Sequence, residues 1–185
     1  IRDLIVTGVQ TCALPISISM VNKALSMCDK SENPVLFANI NMNLGLLYIE
    51  NKETERGLEF MDKAYLFIKL TRTYNNDFIT IARNYAATLS ENSRVNKAIE
   101  VLKECEFAAE ECCSNNHAAL FYDLGAAYIL SGNYPHAVKK YSLAFAEYSA
   151  LGCHDELTAR KIAAARQIQR YGYEYPKEWE FNYLE

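Results

Sequence analysis

Residues 121–144 read FYDLGAAYILSGNYPHAVKKYSLA, and the spacing within them decides the fold. Leu124, Gly125 and Tyr128 lie in one apolar run, the break Ser131-Gly132-Asn133 follows, and Ala137, Tyr141 and Ala144 recur at helical intervals after it. A small residue with a large one a turn later predicts two helices crossing closely at Gly125, with Tyr128 filling the space beside the crossing. The pattern occurs twice more. Leu44-Gly45-x-x-Tyr48 is followed by Gly57, Met61 and Ala64, and Tyr85-Ala86-x-x-Leu89 by Ala98, Leu102 and Cys105. Gly45, Ala86 and Gly125 stand 41 and 39 residues apart, so the chain is read as an array of helical hairpins.

Composition agrees. Half of the 185 residues are hydrophobic, 23% are charged and 12% aromatic, which is enough apolar material for a core and excludes disorder for most of the chain. Seven glycines and four prolines are few for this length, as expected of a mostly helical chain. A net charge of −4 with no lysine- or arginine-rich block lacks the footprint of nucleic-acid binding. No apolar run reaches the roughly 20 residues of a membrane span, and no signal peptide is evident, so a cytoplasmic location is expected. The six cysteines fall inside helical patterns and read as reduced packing residues rather than disulfides.

These small and large residues carry a resemblance to the tetratricopeptide repeat family, over about residues 18 to 151. The unit is longer than the family's minimal period of about 34 residues, as in its longer-repeat members. The resemblance implies an all-α fold, a right-handed superhelical stack of antiparallel helical hairpins. Helix starts are expected at Asn33-Pro34, Asn76-Asp77 and Asn115-Asn116, where an asparagine side chain can accept from orphan amides. Turns are expected at Glu50 to Lys52, Ser90 to Ser93 and Ser131 to Asn133.

The opening stands apart. Ile1 to Ser17 (IRDLIVTGVQTCALPIS) has no capping signal and no period matching the residues after it, and Val6 to Ile16 resembles a translated sequencing-adapter oligonucleotide. Residues 1–17 are expected to be a non-native or disordered leader, the alternative being an extended arm or a cleaved targeting segment. Carrying the register upstream puts Ala24 at the position of Ala64 and makes Met20 to Lys30 the second helix of a hairpin, which implies a truncated chain. Residues 18–172 are assigned to the repeat domain, with Asp155 to Arg170 as its capping helix. Residues 173–185 form an aromatic, acidic tail.

No motif for chemistry emerges. Cys112, Cys113, His117 and the pair Cys153-His154 lack the spacing of a zinc site or a Cys-His catalytic pair, and no phosphate loop or nucleophile elbow is present. Neither enzymatic activity, cofactor nor metal is expected. In the family that the chain resembles, the first helix of each hairpin lines a concave surface. That implies a groove of Asn39, Met42, Asn43 and Leu46 in one repeat and Thr80, Arg83, Asn84 and Ala87 in the next. Ala119, Tyr122, Asp123 and Ala126 are their counterparts in the third.

Asn43, Asn84 and Asp123 share a register position. An asparagine both donates and accepts, so a row of them can pair with the backbone of an extended peptide. Arg83 could hold a carboxylate, and Met42, Leu46 and Tyr122 could add apolar contact. The ladder is similar to that of bacterial peptide-pheromone receptors, which implies a peptide-binding sensor in a cytoplasmic bacterial regulator. Against this stands a plainer reading, in which Asn43 and Asn84 stay solvated or bond between helices. The partner expected is a protein or extended peptide, without nucleic acid or membrane, and oligomers could form through the repeat ends. The second functional class is a scaffold that assembles proteins through its convex face or ends.

Overall fold

The computed structural model describes residues 2–72, 74–111, 117–152, 159 and 161–163, with side chains from residue 14 onward except that of residue 111. Seven helices and no strand occur among the described residues. The chain divides into two compact units, Ile1–Thr88 and Leu89–Glu185.

The first unit contains α1 (Arg2–Met27), α2 (Pro34–Glu50), α3 (Thr54–Leu70) and most of α4 (Asn76–Glu91). Helices α2 and α3 form a hairpin, and α1 packs on α2. Leu44, Gly45 and Tyr48 are buried on α2, and Gly57, Met61 and Ala64 on α3, as their spacing predicts. A Cβ on Gly45 would overlap Met61 Cγ, so the glycine is what lets the two helices approach. Tyr65 of α3 then packs on Phe78 and Tyr85 of α4 at centroid distances of 6.1 and 5.6 Å, and the Tyr85 hydroxyl donates to Asp62 at 2.7 Å.

The second unit contains α5 (Val95–Glu111), α6 (His117–Leu130), α7 (Tyr134–Ala150) and a helical stretch at 161–163. Helices α6 and α7 form the hairpin that residues 121–144 predict, and α5 packs on α6. Gly125 faces Tyr141, whose ring atoms would lie 2.6 to 2.8 Å from an added Cβ. Lys140 crosses to Glu106 of α5 and covers the Phe121 ring.

Three helix ends repeat one hydrogen-bond pattern. The amide of Glu53 donates to Tyr48 O and that of Lys52 to Ile49 O; Arg94 and Ser93 do the same to Leu89 and Ser90, and Asn133 and Gly132 to Tyr128 and Ile129. Lys52, Ser93 and Gly132 all have positive φ, at 64°, 61° and 75°. This is the Schellman termination, in which a left-handed residue turns the last amides back onto orphan carbonyls. It begins in each case at the register position shared by Tyr48, Leu89 and Tyr128, so the caps and the packing pattern keep the same register.

Some expectations change. The helix that should begin near Met20 begins at Arg2 and crosses Ser17 without a break, carrying Pro15 inside it. Proline removes one rung of the ladder there but leaves the rest of the helix to form. Leu14, Ser17, Ile18, Val21 and Leu25 are half-buried at helical spacing, so the period extends into the segment assigned as a leader. Ala24, placed at the register of Ala64, is exposed while Ala64 is buried. Asn33 stands before Pro34 but makes no side-chain cap bond. Asn75 rather than Asn76 caps α4, its Oδ1 accepting from the Phe78 amide at 3.0 Å. Asn115 and Asn116 lie outside the described residues, as does most of the expected capping helix.

Candidate functional site

The expected groove residues fall into three environments. On α2, Asn39, Asn43 and Leu46 are exposed at i, i+4 and i+7, with Leu46 at 43%. On α4, Thr80, Asn84 and Ala87 repeat that exposure in the same register. The side chains of Asn39, Asn43 and Asn84 make no hydrogen bond to the protein among the described residues. Asn41, two residues from Asn43, shows the contrast: it is buried and donates through Nδ2 to Phe37 O at 2.8 Å. Bonds from the ladder asparagines between helices are therefore not what the described residues show, and their exposure fits both the solvated surface of the plainer reading and a binding face.

Three candidates are already engaged. Met42 is only 4% exposed and belongs to the core of the first unit, so it presents no apolar surface to a ligand. Its position faces inward where the sequence reading placed it in the groove, because a helix stripe i, i+4, i+7 leaves the residue before Asn43 turned about 100° away. Arg83 is half-buried and has interactions within the protein. Thr80 Oγ1 donates to its own helix at Asn76 O, 2.8 Å away.

On α6 the equivalent face is covered. Ala119, Tyr122, Asp123 and Ala126 are half-buried, and the Tyr122 ring meets Tyr141 edge-on at 5.3 Å. Lys161 Nζ lies 5.4 Å from the Tyr122 ring centroid and 5.9 Å from that of Tyr141. Burial pushes the Lys161 ammonium down to about 8. The sequence reading missed this lysine. A lysine in an Ala- and Arg-rich stretch looks like solvated surface, and only the two tyrosines, distant in sequence, show otherwise.

The cysteine and histidine candidates supply no constellation. Cys112, Cys113, Cys153 and His154 lie outside the described residues. His117 stacks on Phe121 with centroids 6.0 Å apart, and its Nε2 is buried without a hydrogen-bond partner. Among the described residues no three His, Cys, Asp or Glu side chains are placed to hold a metal, and no helix is long and apolar enough to cross a membrane.

Solved structures match this arrangement of hairpins. The chain is similar to a Podosopora anserina structure of nearly identical TPR-like repeats assigned to a kinesin light chain, with a TM-score of 0.69 and 18% identity over 87% of this chain and 81% of that one. The fold is a TPR-like helical repeat. A point variant of those TPR-like repeats aligns with a TM-score of 0.60 and 14% identity, over 89% of this chain and 91% of the other. MamA of MSR-1 aligns with a TM-score of 0.50 and 16% identity, over 93% and 96%. No family model and no curated protein matches the chain.

Proposed function

We propose that this TPR-like chain is a non-enzymatic binding module that holds an extended peptide or partner segment along the exposed faces of α2 and α4. The observation that carries this reading is the pair Asn43 and Asn84, exposed at one register position with no hydrogen bond to the protein among the described residues. Each offers one acceptor and two donor hydrogens, which suits the alternating N–H and C=O groups of an extended backbone. Asn39 and Leu46 extend the α2 face by a further amide and an apolar contact, and the exposed Ala87 extends that of α4. Repeat proteins present such faces to partners because stacking places equivalent side chains in rows. The biological role that suits it is the sensor half of a cytoplasmic bacterial regulator that responds to a peptide. Selection of a random-peptide display library on the immobilised full chain tests the reading. Enrichment of a sequence family that fails to bind the Asn43→Ala, Asn84→Ala variant supports it, and equal retention by both chains contradicts it.

A second reading rests on α3. Leu66 and Leu70 are exposed one turn apart, Leu70 at 80%, which favours a scaffold that meets partners through its second helices. Loss of such partners in a Leu66→Ser, Leu70→Ser variant, with peptide binding kept, separates the two.

A further inference from the structure

The open face of α2 carries more than its asparagines. Its exposed positions are Leu36, Asn39, Asn43, Leu46 and Glu50, and from Pro34 to Ile49 the helix has no charged residue. A solvent-facing helix stripe is ordinarily charged. Leu36 and Leu46 are 52% and 43% exposed, so two large apolar side chains flank the amide pair. At the helical rise, Asn39 and Asn43 stand about 6 Å apart along the axis, Leu36 and Leu46 about 15 Å, and Leu36 and Glu50 about 21 Å. An extended chain advances about 6.6 Å over two residues, about 13 Å over four and about 20 Å over six, and residues at even spacing share one side. The intervals on α2 therefore match positions two, four and six residues apart on an extended segment, within the reach of leucine and glutamate side chains.

Charge sets the chemistry of the occupant. Neither Glu50 nor Lys52 of the following turn makes an ion pair among the described residues, while Glu53 is held by Arg56 at 3.1 Å. Glu91 stands at the register of Glu50 on α4 and is also exposed. The α4 counterparts of Leu36 and Leu46 are Asp77 and Ala87, which offer no large apolar side chain, so selection among side chains falls to α2. Resting on the peptide reading above, we infer that the α2 face takes an extended peptide with apolar residues at i and i+4, uncharged residues between them, and Lys or Arg two residues outside the apolar residue that meets Leu46. Asn39 and Asn43 hold the backbone between the anchors, Leu36 and Leu46 cover the anchors, and Glu50 meets the cation. A charged residue over the amide pair would give up hydration without gaining a counter-ion. A helical occupant would instead meet the two leucines with apolar residues about ten apart.

Peptides selected from a random display library on the full chain, resynthesised and titrated by fluorescence anisotropy, test this. The selected family should carry that spacing, and a glycine inserted between the anchors should weaken binding about tenfold, because it sends the second anchor to the opposite side of the strand. Leu36→Ala and Leu46→Ala should each weaken binding about fivefold to tenfold, with unfolding midpoints unchanged. Glu50→Gln should cost about twofold to fivefold at low salt and nothing at high salt, and nothing against a peptide whose basic residue is replaced by glutamine. A family that depends on Asn43 and Asn84 but carries another spacing, or ignores Leu36→Ala and Leu46→Ala, overturns the assignment of the α2 face while the peptide reading stands. A family indifferent to the Asn43→Ala, Asn84→Ala variant overturns both.

Discussion

Gly45 and Gly57 occlude one another across the α2–α3 hairpin: a Cβ on Gly57 would lie 2.5 Å from the carbonyl oxygen of Gly45, and one on Gly45 2.8 Å from that of Gly57. Two backbones can come this close only where neither carries a side chain. The strongest steric demand in the first unit therefore falls on backbone, which cannot swing aside as the flexible end of Met61 can.

Gly57→Ala should accordingly destabilise the chain by roughly 1 to 3 kcal/mol, more than the gain of about 1 kcal/mol that alanine brings to a helix interior. Gly125→Ala should behave alike, since the Tyr141 ring it would strike is buried on all sides. Urea denaturation of both variants gives the values, and variants as stable as the parent would refute the crossing geometry.

The left-handed caps make the opposite forecast. Lys52 and Ser93 occupy a conformation that glycine adopts without cost. Lys52→Gly and Ser93→Gly should each stabilise by about 0.5 to 1 kcal/mol. Gly132→Ala should lose a similar amount from backbone strain alone, because an added Cβ meets nothing within 4 Å there. Thermal unfolding of the three variants checks the signs.

Loss of the Tyr85 hydroxyl should be felt where α3 meets α4. Tyr85→Phe leaves the ring packing on Tyr65 and removes the bond to Asp62, at a cost of roughly 1 to 3 kcal/mol for a hydrogen bond to a charged group. Denaturant midpoints measure it, and Asp62→Asn should recover part of the difference between tyrosine and phenylalanine.

Lys161 gives the second unit a pH dependence. Burial lowers its ammonium from the ordinary 10.5 to about 8. Between those values the unfolded chain holds a proton that the folded chain has lost, so this contribution to stability rises with pH from about 8 to 10.5 and is weakest, and flat, below. The whole rise is at most on the order of 3 kcal/mol, and smaller to the extent that water still screens the ammonium. Urea denaturation of the full chain should show that rise across the window in the parent and a smaller one in Lys161→Met.

Local chemistry made the hairpins readable. Leu124, Gly125, Tyr128 and Tyr141 are buried at positions that follow from helix spacing, and Ser131 to Asn133 combine turn chemistry with a left-handed glycine. Met42 misled because one residue of register separates the core from the open face. Lys161 stayed hidden because its environment comes from Tyr122 and Tyr141, on two other helices, and spacing along the chain carries no trace of that meeting. The exposure of Asn43 and Asn84 was legible, since both fall on the polar side of helices whose buried positions were already assigned.

Calorimetric titration of a display-selected peptide into the parent, Asn43→Ala, Asn84→Ala and the control Asn96→Ala, which alters an exposed asparagine on α5, tests the binding face most directly. Each ladder substitution should weaken binding by about 1 to 3 kcal/mol, with unfolding midpoints unchanged and the control equal to the parent. Undiminished affinity in both ladder variants would contradict the assignment of the α2 and α4 faces as the peptide site.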